Sequence, residues 1–290
     1  MGSLTKHPLA GLTAGAFIIS FSSIFARLST EAPVVNGFYR MMFGAVFLIA
    51  LAFFTGSRFS FGRSMIYSAF AGVLLGTDMV FWHTGIDYIG PGLATLLANF
   101  QVFFLAAYDV AVEKKRVSGR LLLAMLLAVA GLYLLVSPGW SLSGGDFRTG
   151  VAASLIAGVF YAGFTIFIKK SSQTARPLDK TASIASACAA SAVYLFGAVF
   201  LMGENPAVES TRDLGILLVY GFICQGVGWV LITGAIRSVR LSVVGLVLLL
   251  QPTLSWVWEV LIFSKAVTLT DITGALLAMA AIYLGSVSKN

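Results

Sequence analysis

This sequence predicts an all-α integral membrane protein with ten transmembrane helices arranged as two inverted five-helix repeats. Three observations lead there. Apolar runs of about 20 residues, enough to cross a bilayer core as helix, recur from end to end. Lys and Arg gather in alternate loops. The second half of the chain repeats the first. The composition agrees: the 290 residues are 58% hydrophobic and only 11% charged, with a mean hydropathy of +0.93. Soluble domains carry about 25% charged residues, and no polar segment here is long enough to form one.

Breaks at charged residues, Gly and Pro divide the apolar runs into ten spans. They are 8–29, 33–55, 64–86, 91–112 and 119–137, then 148–169, 180–203, 212–236, 241–263 and 270–287. The connections are short, so successive spans are antiparallel. The opening MGSLTKHPLAG leads into a run with no small-residue cleavage site after it, which reads as a retained first span.

Of the 19 Lys and Arg, 14 fall on the side of the N-terminus. Only Arg27, Arg40, Arg148, Arg212 and Lys265 fall on the other. The positive-inside rule then places both termini in the cytosol. The net charge of +7 reports this loop asymmetry and not a nucleic-acid partner.

At an offset of 150, Gln101 matches Gln251, Asp109 matches Glu259, Lys115 matches Lys265 and Val117 matches Val267. LLAVAGLYLL at 126–135 meets LLAMAAIYLG at 276–285. Thr84-Gly85 faces Thr233-Gly234 one residue out of step. Five spans per unit is an odd number, so the second unit enters the membrane in the opposite sense. Residues 1–140 and 141–290 are therefore the two repeats of one structural unit, with a binding site expected near the midplane between them.

The stretch LLLQPTLSWVWEVLIFSKAVTLTDITGALLAMAAIYLG at 248–285, with its weaker copy at 96–135, resembles the drug/metabolite transporter superfamily. Within it the chain is similar to the ten-helix EamA-type exporters, and most like the YddG aromatic amino acid exporters. Pro252 fits the family pattern; Val102 stands at the first-half Pro position, and Lys115 and Lys265 stand in place of a Glu. The resemblance implies export of amino acids, aromatic ones especially, and related small metabolites.

Polar residues inside the spans mark the site. In the third span, a helical wheel with Asp78 at zero puts Trp82 near 40°, Met79 near 100°, His83 near 140° and Gly76 near 160°. The opposite face is plainly apolar. Ionisable groups in a span face protein or a water-filled cavity. Asp78 and His83 point too far apart to bond each other. Arg40 lies at similar depth to Asp78, about 12 Å from the outer end of the span, and is its expected partner. That pair either pins two helices together or serves as a gate in which Arg40 meets a substrate carboxylate. Trp82, His83, Asn99, Tyr161, Gln225, Trp229 and Gln251 are the candidate substrate-binding residues. His83 is equally readable as a packed histidine, and Trp82 as plain packing. Pro252 either kinks its helix or frees a carbonyl for a ligand. Gly11/Gly15 and Gly72/Gly76 have the spacing of close helix crossings, and Trp140 reads as an outer-interface anchor.

Other functions are less well supported. His7 and His83 are the only histidines, so no metal site is expected, and no cofactor. Cys188 and Cys224 sit in apolar helices and suggest packing, not a disulfide. No phosphate-binding G-x-x-x-x-G-K-[ST] loop is present, so ATP does not drive transport within this chain. A membrane-embedded enzyme using Asp78 and His83, and a passive metabolite channel, are the alternatives to a secondary transporter working by alternating access. The expected partners are a small-molecule substrate and the bilayer, with the monomer as the working unit.

Overall fold

The computed structural model describes residues 8–112, 114, 119–142, 144–236, 247–248 and 250–287. Lys6, Lys115, Arg116, Val117, Arg237, Arg240 and Lys289, which enter the charge count or the repeat matches, lie outside these residues, as do His7 and the side chain of Trp140.

Among the described residues every regular element is helical. The first span is α1 (Pro8–Ser20) and α2 (Ser22–Leu28), followed by α3 (Pro33–Phe54) and α4 (Arg63–Ile89). The fourth is α5 (Pro91–Ala98) and α6 (Gln101–Ala111); the fifth is α7 (Gly119–Leu142). Then come α8 (Gly144–Ser172) and α9 (Lys180–Leu201). The eighth span is α10 (Thr211–Val219), a π-helix (Tyr220–Gly228) and α11 (Trp229–Ile236). The ninth is described from α12 (Leu250–Phe263), and α13 (Leu269–Val287) is the tenth. Six of these segments are long and apolar enough to cross a bilayer. Three further apolar stretches, 91–105, 122–137 and 269–284, are shorter. This is a multi-pass membrane protein.

Large apolar side chains turn outward, as in a bilayer, among them Leu126, Val129 and Tyr133 on α7 and Val193 and Phe200 on α9. Small residues face inward. Gly131 on α7 and Gly274 on α13 meet at a crossing where a Cβ on Gly131 would lie 2.7 Å from the Ala278 amide nitrogen, so only glycine lets these backbones touch. Gly15 packs on Ile232 and the Gly228 carbonyl, and Gly72 on the Ala187 carbonyl. Cys188 and Cys224 are free and buried.

α4 lies along α8 and α9, and α3 along α9 and the π-helix. α1 packs on α11 and α12, α5 on α12 and α8, and α7 on α13. Exchanging the first five spans with the last five leaves these pairings unchanged: α3–α9, α5–α12 and α7–α13 map onto themselves, and α4–α8 maps onto α11–α1.

Three helix interruptions were not predicted from sequence. At Phe21, the Ser20 carbonyl accepts from Ser255 Oγ at 3.0 Å while Ser20 Oγ donates to Phe17 O. Trp258 Nε1 donates to Ser20 Oγ at 2.9 Å. These bonds draw Ser20 out of the helical ladder toward α12. At Asn99–Phe100, the Phe100 amide bonds to Leu97 O, an i−3 turn, and Asn99 Nδ2 donates to Thr95 O. In the eighth span, Gly221, Gly226 and Gly228 permit the wider π turn.

Candidate functional site

The middle of α4 carries the site because its inner face packs against other helices and not lipid. Asp78, Trp82 and His83 are all buried, at 3%, 4% and 2% exposure. They do not share one environment. Asp78 and Trp82 line a cavity between the helices; His83 stands behind it.

The cavity draws on seven spans, the first through Ile19. Arg40 comes from α3, Asp78, Met79 and Trp82 from α4, and Thr95 and Asn99 from the broken fourth span. Tyr161 comes from α8, Gln225 and Trp229 from the π-helix and α11, and Gln251 from α12. The structure thus brings together eight of the nine residues singled out in the sequence, His83 excepted. The free volume is only about 50 Å3, room for a few waters, so an amino acid enters only if the walls move.

The expected ion pair of Arg40 with Asp78 is not formed. Arg40 Nε donates to Gln225 Oε1 at 3.0 Å, and Nη1 donates to Tyr220 Oη at 2.8 Å and to Met79 Sδ at 3.3 Å. Its guanidinium also lies over the rings of Tyr220, 4.8 Å from the centroid, and Trp82, at 5.4 Å. Equal depth was the basis for pairing it with Asp78. The π-helix overrides that argument by bringing Tyr220 and Gln225 onto the guanidinium. Among the described residues, Asp78 makes no ion pair within 4.0 Å and no hydrogen bond.

His83 is held from both sides. Nδ1 lies 2.6 Å from Met79 O, which can only accept, so Nδ1 carries the proton. In the neutral ring, Nε2 accepts the hydroxyl proton of Tyr220 at 3.1 Å. The Tyr220 oxygen lone pairs then face Arg40. A relay thus runs from His83 through Tyr220 to Arg40, and the Trp82 ring contacts His83 edge-on at 5.1 Å. Tyr220 is fully buried and was missed in the sequence. Its signal was a phenol inside an apolar span, followed directly by a glycine.

The other walls are aromatic. Tyr161 stacks on Phe164 at 5.7 Å, and Phe164 meets Trp229 edge-on at 6.2 Å. Gln225 Nε2 donates to Cys188 Sγ, so both ends of this amide are committed. Thr95 Oγ1 is buried without a partner. Beyond the cavity, Glu259 on α12 accepts from the Gly92 amide at 3.0 Å and from Lys265 Nζ at 3.0 Å. It ties α12 to the start of α5, a cap for which a Cβ on Gly92 would leave no room. The side chain of Asp109, its repeat match, lies outside the described residues. Among the described residues no cluster of three or more His, Cys, Asp or Glu is arranged to hold a metal ion.

The cavity is polar and aromatic and enclosed by membrane-crossing helices. The model of the EamA-like transporter family matches residues 9–137 and 148–287, and the chain belongs to that family. It is similar to a protein from Clostridium kluyveri described as an uncharacterized transporter, with 20% identity over 224 residues, 73% of this chain and 69% of the other. A crystal structure of a protein 16% identical in sequence superimposes with a TM-score of 0.67, covering 97% of this chain and 98% of that one, a likeness of fold alone.

Proposed function

We propose that this transporter exports amino acids, aromatic and others, and related small metabolites across the bacterial inner membrane by alternating access, with both termini cytoplasmic. The observation that carries this reading is the central cavity, where the rings of Trp82, Tyr161 and Trp229 share walls with Arg40, Asp78, Asn99, Gln225 and Gln251. An aromatic amino acid asks for a ring pocket and for polar partners to its zwitterion. The exchange symmetry of the helix pairings supports two inverted repeats, 1–140 and 141–290, rocking about this cavity. Its small free volume supports a state closed around the site, as alternating access requires. The committed bonds of His83 and the open carboxylate of Asp78 favour translocation without chemistry over an acid–base pair.

The test is efflux of labelled amino acids from cells with matched membrane levels of each variant. Trp82→Ala and Trp229→Ala are expected to weaken efflux of phenylalanine more than of threonine. His83→Ala is expected to weaken both, through Tyr220 and Arg40. Unchanged saturation curves for both amino acids in all three variants would remove the cavity from the transport path.

A further inference from the structure

At one end of the bundle, away from the central cavity, a second cleft opens between the α3–α4 connection and the α8–α9 connection. Its volume is about 720 Å3. Arg63, Lys170 and Arg176 line it, together with Phe61, Gly62, Tyr67 and Gln173. No carboxylate is among the described residues lining it. The nearest acid in sequence, Asp179, accepts from the Arg58 amide at 2.8 Å. None of the three cations takes part in an ion pair among the described residues. Lys170 has its ammonium 4.8 Å from the Phe167 ring centroid. Three uncompensated cations around one cleft repel each other unless an anion sits among them.

The cleft rests on a fixed base. Ser64 and Ser171 bond through their hydroxyls at 2.8 Å, Ser68 bonds Ser171 at 2.9 Å and Ser183 at 2.8 Å, and Ser64 Oγ accepts from the Leu178 amide at 3.0 Å. This buried chain of hydroxyls pins α4, α8 and α9 together and holds down the far end of the 173–179 connection. The cations therefore project from a rigid floor.

Phe61, which lines the cleft, is 93% exposed, and Phe53 and Phe54 at the end of α3 are 80% and 84% exposed. Phe53 and Phe54 end the membrane-crossing part of α3, so the cleft sits at headgroup level. A soluble anion would leave these rings in water. We infer that this cleft binds the phosphate of an anionic phospholipid, with Arg63, Lys170 and Arg176 on the phosphate and Phe61 against the glycerol and upper chain. A bound lipid here bridges a connection from the first half of the chain to one from the second. The inference rests on the protein being membrane-embedded and is independent of its cargo.

Native mass spectrometry of the purified full-length protein in detergent tests this, with phosphatidylglycerol, phosphatidylcholine and glycerol phosphate as probes. The parent protein is expected to retain phosphatidylglycerol in preference to phosphatidylcholine. Arg63→Gln/Lys170→Gln/Arg176→Gln is expected to weaken that retention by about ten-fold or more, and Arg120→Gln/Arg212→Gln to leave it unchanged. If the triple variant is not monodisperse, Arg176→Gln alone, on the exposed connection, is expected to weaken retention several-fold. Phe61→Ser is expected to weaken lipid retention as well. Equal retention of the two lipids, or equal losses in the cleft and control variants, would overturn the site. Full displacement of phosphatidylglycerol by millimolar glycerol phosphate, with Phe61→Ser silent, would overturn its assignment to a lipid.

Discussion

Tyr220→Phe removes one oxygen from the centre of the molecule, and the structure sets the size of the effect. That oxygen accepts from Arg40 Nη1 at 2.8 Å and bonds His83 Nε2 at 3.1 Å. The ring stays, and with it the cation–π contact at 4.8 Å. Hydrogen bonds to charged groups contribute about 1.5–3 kcal/mol in soluble proteins. In membrane proteins measured couplings average about 0.6 and reach about 1.7 kcal/mol, because the reference state finds other partners. Full burial of Tyr220 puts this bond near the upper membrane value, and a stranded His83 nitrogen adds about 1 kcal/mol. The expected loss is thus about 2–3 kcal/mol, with about 1–2 kcal/mol of coupling between positions 40 and 220. Equilibrium unfolding of the micelle-solubilised protein in a Tyr220→Phe/Arg40→Met double-mutant cycle measures it. Coupling below about 0.5 kcal/mol, or a larger coupling of Arg40 with Asp78 in the parallel Asp78→Asn cycle, would refute the assignment of Arg40 to Tyr220.

Gly90 has φ +84°, and a Cβ there would run into Glu259 Oε1; Gly56 has φ +66° with open space around it. Gly56→Ala is expected to cost about 1–2 kcal/mol, and Gly90→Ala at least about 1 kcal/mol more, through loss of the Glu259 cap; unfolding midpoints of the two variants decide it. Glu31, between α2 and α3, has its carboxyl raised above the usual 4.5 by partial burial and then by the carboxylates of Asp213 and Glu209. A raised acid costs stability above its folded pKa, and the cost fades as pH falls, vanishing below 4.5. The melting temperature of the parent protein is therefore expected to approach that of Glu31→Gln as pH is lowered from 7 toward 4.5, and a constant gap would refute this. In a variant lacking Cys188 and Cys224, a cysteine at Gly145 is expected to react with an impermeant thiol reagent on intact cells, while one at Lys289 stays protected. The reverse pattern would overturn the inward placement of the termini.

Much of the site was legible as composition. Asp78, Trp82 and His83 stand out in α4 because polar groups in a span need an interior partner, and a wheel identifies the face they share. Which of them meets the cavity depends on neighbours that a wheel of one helix does not contain. His83 is drawn back by Met79 O and Tyr220; Asp78 is left open because Arg40 is taken by Gln225 and Tyr220.

The sequence by itself determined that the chain is helical, membrane-spanning, divided into ten spans and internally repeated. Each of these follows from hydropathy or periodicity along a single segment, where the bilayer enforces a helix by requiring every backbone group to be satisfied internally. Only the tertiary structure decided the breaks at Phe21 and Asn99, the π-helix at Tyr220–Gly228, the Glu259–Gly92 cap and the serine chain under the basic cleft. Apart from the break at Asn99, which rests on bonds to Thr95 and Leu97 within its own span, each depends on a hydrogen bond or a glycine contact between helices distant in sequence. A donor and an acceptor more than a hundred residues apart leave no periodic mark on either segment, so their meeting is fixed only when the helices pack.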